Sequence, residues 1–82
     1  MNNVRKVAIF LFLIGLDKGR KIMDLMDSGE LKQVLREMKT VQAVSETEGE
    51  FVRNLFLELG YEAKTSPVDT MFFIRQVLHE DH

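Results

Sequence analysis

An all-α fold, a compact bundle of about five short helices, is what this sequence predicts, and three observations carry that expectation. Apolar residues recur at i, i+3 and i+4 spacing through most of the chain, the pattern of one buried helical face. Residues that cap helices (Asp17, Ser28, Ser45 and Ser66) stand at the head of successive apolar stretches. One proline and five glycines among 82 residues suit helices joined by short turns.

The first helix is expected from about Val4 to Ile14, apolar nearly all round from Val7 onward. Periodicity alone would also allow a buried strand. The length of the run, and the lack of a second strand to pair with it, favour a central helix ended by Gly15, since glycine enters the left-handed region freely. Arg5 and Lys6 before the apolar run Val7 to Leu16 have the outline of a secretory signal. That run is shorter than the roughly 20 residues of a membrane span. No small-x-small cleavage motif follows it in Asp17-Lys18-Gly19-Arg20, so a buried core helix is the better reading.

A second helix, about Lys18 to Met26, is expected to open on Asp17 and to carry Ile22, Leu25 and Met26 on one side. A third is expected from Gly29 to about Thr40 with Ser28 as its cap, and Leu31, Val34, Leu35 and Met38 as its buried stripe. Ser45-Glu46-Thr47-Glu48 reads as a capping box, with Val44 placed for a hydrophobic staple to Phe51 or Val52. The fourth helix presents Phe51, Leu55, Phe56 and Leu59 on one face and stops at Gly60. A polar connector leads to Ser66-Pro67, cap and first turn of a fifth helix that runs to about His79. No repeat or long linker interrupts the chain, so residues 1–82 are expected to form a single domain.

Composition excludes several function classes. Thirteen acidic against eleven basic residues leave a formal charge of −2, too balanced for a nucleic-acid binder or a polybasic membrane anchor. Without cysteine there is neither a disulfide nor thiolate chemistry, which fits a cytoplasmic setting. Gly15 and Gly19 lie four apart with no Lys-Ser/Thr after them, so no phosphate-binding loop is present. The carboxylates sit on helix starts and helix surfaces, where capping and solvation account for them. Ser28, Ser45 and Ser66 are explained as caps, with no histidine near them. His79 and His82 have i, i+3 spacing, but a solvated chain end explains them better than a metal site. The chain is therefore expected not to be an enzyme and to need no cofactor or metal.

What stands out is an apolar surplus. Phe10, Phe12, Phe72 and Phe73 cannot all point inward if their helices are regular. A dense core is one reading; the other is a face completed by a partner helix, and exposed apolar patches on small proteins favour the second. The residues expected at such an interface are Phe10, Leu13, Phe51, Leu55, Phe56, Phe72, Phe73 and Val77.

These residues also resemble a known pattern. Arg5-Lys6-Val7-Ala8-Ile9-Phe10-Leu11-Phe12-Leu13-Ile14-Gly15 is similar to the opening helix of the N-terminal domain of the FliG family of flagellar motor switch proteins. Val44-Ser45-x-x-Glu48 is similar to that family's Val-Ser-Pro-Glu-Glu turn, and the stretches Leu31–Met38 and Val68–Leu78 resemble its later helices. Leu16-Asp17-Lys18-Gly19 departs from the Pro-Glu or Glu-Glu usual after the glycine. The resemblance implies a right-handed superhelical all-α domain. Its implied role is to dock the motor switch onto the cytoplasmic tail of FliF, the MS-ring protein, beside neighbouring copies in the ring. It implies a place at the inner face of the cytoplasmic membrane, without insertion. The family's middle and C-terminal domains, which face the stator, have no counterpart in these residues, so torque generation is not assigned to them. The alternative is a stand-alone helical adaptor or regulator that dimerises, or binds an unrelated partner helix, through the same faces.

Overall fold

The apolar run that opens the chain folds as the hub around which the rest is built. The computed structural model describes residues 1–80. Among them are five helices and no strand: α1 (Asn3–Ile14), α2 (Leu16–Met23), α3 (Ser28–Thr40), α4 (Glu46–Leu59) and α5 (Pro67–Leu78). Helix α1 packs against each of the other four, and α2 also packs on α5. Six consecutive residues of α1, Lys6 to Leu11, are buried. Only a helix enclosed on all sides can bury a full turn and a half without a break, so the all-round apolar pattern has a direct structural meaning. The radius of gyration, 11.5 Å, is close to the roughly 12 Å expected of a compact chain this long.

The caps differ in detail from the sequence expectation. Asn2 accepts from the Arg5 amide at the start of α1. Gly15, at φ 94°, turns the chain so sharply that α2 begins at once, at Leu16; Asp17 lies inside its first turn and is not its cap. Helix α2 ends at Met23, short of Met26. The cap of α3 is Asp27, one residue before the serine expected, because Asp27 and Glu30 form a reciprocal capping box (2.8 and 2.9 Å). The Ser45–Glu48 box is present at the head of α4. The staple position opposite Val44 is Gly49, so Val44 lies over the glycine instead of over Phe51 or Val52: a Cβ there would sit 3.8 Å from Val44 Cγ1.

On α3 the buried stripe is narrower than expected. Val34 is fully enclosed, Leu31 and Met38 are partly buried against the core, and Leu35 is 41% exposed. Helix α3 touches the core along one line, and Leu35 lies 100° around from Val34. Among the described residues, two ion pairs tie the helices together. Arg5 of α1 meets Glu48 of α4 at 3.0 Å, and Arg75 of α5 meets Glu30 of α3 at 2.9 Å.

Candidate partner-binding surface

The C-terminal end of α1 leaves the core before the helix ends. Phe10 and Leu11 are buried, whereas Phe12 and Leu13 are 41% and 37% exposed. Facing this end is the second half of α4, where Leu57 is 52% exposed beside the fully buried Phe56. The chain then leaves α4 through Gly60, at φ 116°, with the Gly60 amide donating to Leu57 O and the Tyr61 amide to Phe56 O. These are the two bonds of a Schellman motif, and they fold Tyr61 back over α1.

Between these elements lies a cleft of about 360 Å³ lined by Phe10, Leu13, Ile14, Lys18, Arg53, Leu57, Tyr61 and Ala63. An aromatic stack forms its floor. Phe10 lies flat on Phe56 at 3.8 Å between centroids and meets Tyr61 edge-on at 4.9 Å. Burial among these apolar groups pushes the Tyr61 hydroxyl above its ordinary pKa. Lys18 Nζ donates to Ala63 O at 3.1 Å and so closes the connector end. A narrower groove of about 180 Å³ adjoins it, lined by Lys18, Lys21, Ile22, Tyr61, Thr65, Pro67 and Thr70. The two share Lys18 and Tyr61 and lie side by side on the same face.

A second apolar surface joins the end of α2 to α5, where Leu25, Val68 and Phe72 are 42%, 58% and 62% exposed around a shallow groove of about 190 Å³. The depression beside it, about 580 Å³, is larger and more open, with Phe72 and Phe73 sharing its lining with Glu62, Lys64, Ser66 and Asp69.

The structure distributes the eight residues expected at the interface over several places. Phe10 and Leu13 share the cleft, as floor and wall. Phe56 is fully buried under Phe10 and Val77 is 2% exposed, so both are part of the core. Leu55 joins Val77 in a separate groove between α4 and α5. Phe51 is exposed on α4 beneath the ammonium of Lys6, 5.8 Å from its ring centroid. Phe73 is partly buried, its ring against Gly60, while Phe72 faces outward.

Leu57, Tyr61, Leu25 and Val68 complete these surfaces and were not expected there. The signal for Leu57 was available: it is apolar yet falls outside the stripe of Phe51, Leu55, Phe56 and Leu59. Nothing local marks Tyr61, which is placed by the turn at Gly60. Among the described residues, no cluster of His, Asp or Glu is arranged to hold a metal ion, and no helix is long and apolar enough to cross a membrane. His79 ends α5 as an exposed residue, and His82 lies outside the described residues.

The family model described as FliG N-terminal domain matches residues 1–81. No curated protein and no solved structure matches the chain.

Proposed function

The chain belongs to the FliG N-terminal domain family, and from that premise we propose that it is a non-catalytic docking domain, one unit over residues 1–82, of a flagellar motor switch component. Its partner is the cytoplasmic tail of the MS-ring protein FliF, and it works at the inner face of the cytoplasmic membrane without entering it. A helix of that tail lies in the cleft between α1 and α4.

The observation that carries this reading is the unfilled apolar cleft. Leu13 and Leu57 stand half out of the core at a cleft of about 360 Å³ whose floor is the buried Phe10–Phe56 stack. A helix presenting apolar residues at i, i+3, i+4 and i+7 would bury both leucines and fill the space, as in other helix-in-groove complexes.

Calorimetric titration with a synthetic FliF tail peptide tests it. Saturable binding is expected, together with its loss on Leu57→Glu in a variant whose circular dichroism is unchanged. No binding at tens of micromolar peptide would sink the proposal. The exposed patch of Leu25, Val68 and Phe72 supports a second contact, with a neighbouring copy in a ring or in a homodimer. Concentration-dependent association that disappears on Phe72→Glu, with or without peptide, is its signature.

A further inference from the structure

The charge around the cleft and the groove beside it narrows the chemistry of their occupant. Lys18, Lys21 and Arg53 line the two, and no Asp or Glu lines either. In a chain with thirteen acidic residues and a formal charge of −2, that is a marked local excess of positive charge. Elsewhere arginines facing a neighbouring helix have found carboxylates, Arg5 with Glu48 and Arg75 with Glu30. Among the described residues, Arg53 and Lys21 form no ion pair, and Lys18 spends its ammonium on a backbone carbonyl. Three cations without carboxylate partners, set along an apolar trough, are complementary to one kind of surface: apolar residues flanked by acids.

We propose that the cleft and the groove beside it are built for an acidic amphipathic helix of a partner protein. The partner's apolar face would cover Leu13, Leu57 and Tyr61, and its flanking carboxylates would meet Lys18, Lys21 and Arg53. This rests on the docking reading above and adds the charge of the partner. The cations set encounter rate and orientation, while the leucines supply the buried area. A flat anionic lipid surface fits less well, because the apolar residues here line a concavity.

The test titrates three probes against the intact chain at about 20 mM and about 500 mM salt, since screening separates surface charge from apolar contact. The probes are a FliF tail peptide, a designed Leu/Glu amphipathic peptide of about 18 residues, five helical turns, and vesicles of anionic phospholipid. At low salt the double variant Lys18→Gln/Arg53→Gln is expected to weaken tail binding by about tenfold, each exposed ion pair being worth up to about fivefold. At high salt the difference should vanish. Neutralising Arg36 and Lys39 of α3, the same loss of charge away from the cleft, should change nothing.

If the tail binds but ignores both salt and the double variant while Leu57→Glu abolishes it, docking stands and the charge inference is overturned. If the tail does not bind, the docking reading falls, and the designed peptide decides the inference. Binding that depends on Lys18 and Arg53 supports it; no binding overturns it. Capture by anionic vesicles through the same cations, with neither peptide bound, also overturns it.

Discussion

Replacing Phe56 by alanine removes the lower half of the stack on which the cleft floor rests. The ring is fully buried and lies 3.8 Å from that of Phe10. Deleting a buried phenylalanine to its Cβ costs about 3–5 kcal/mol in lost transfer energy and unfilled cavity. At about 0.05–0.15 kcal/mol per residue, a chain of this length has about 4–12 kcal/mol in total, so the variant retains a small margin or none. Phe56→Leu leaves a smaller void and should cost about 1–2 kcal/mol. At a urea slope of about 1–3 kcal/mol/M, that lowers the midpoint by about 1 M. Leu57→Gln, one residue along and half exposed, should cost less than about 1 kcal/mol. Urea unfolding followed by circular dichroism ranks the three. A Phe56→Ala loss below about 1.5 kcal/mol, or a Leu57→Gln loss equal to it, would refute the assignment of Phe56 to the core and Leu57 to the surface.

Two glycines should respond with opposite signs. Gly60→Ala puts a side chain at φ 116° with its Cβ 3.3 Å from Phe73 Cζ, at a cost of about 1–3 kcal/mol. Gly49→Ala lies at the first turn of α4 with helical backbone and ordinary contacts of 3.8 and 3.9 Å to Val44 and Leu13 and should add about 0.5–1 kcal/mol. Equal signs in thermal unfolding would contradict the geometry at one of them. Hydrogen bonds from Arg75 and Arg5 are the chief cause holding Glu30 and Glu48 below the usual carboxylate range. The stability they confer is therefore complete above about pH 4.3, the ordinary glutamate value, and is lost as pH falls through the depressed values. Urea midpoints should drop on acidification below that point, and less steeply in Glu30→Gln/Glu48→Gln; an identical slope would exclude these pairs as the cause. On α3, Val34→Ala should cost about 2 kcal/mol and Leu35→Ala less than about 1 kcal/mol, read from the same urea curves.

Much of the helical plan was legible because its signals are local. Capping at Ser45 and Ser66, the proline opening α5 and the glycine turns at 15 and 60 depend on a few neighbouring residues and appear in the structure where the sequence places them. The Asp27 cap was hidden by Ser28, an equally good capping residue one position later, and only the reach of Glu30 decides between them. Burial was less legible. Val34 and Leu35 look alike in the i, i+3, i+4 pattern, and which one faces the core depends on how α3 lies against α1. The aromatic surplus required that Phe10, Phe12, Phe72 and Phe73 could not all point inward, and Phe12 and Phe72 are the two that face out. It could not show that Phe10 and Phe56 stack, or that Leu57 and Tyr61 meet the end of α1, because those contacts join segments more than 40 residues apart.

The central claim is that the partner helix lies between α1 and α4. It is tested most directly by mapping amide chemical-shift changes in the chain as FliF tail peptide is added. The largest changes are expected on Leu13, Ile14, Arg53, Leu57, Tyr61 and Ala63, with Leu25, Val68 and Phe72 unmoved. Changes centred on Leu25, Val68 and Phe72 that leave the cleft unmoved would contradict it.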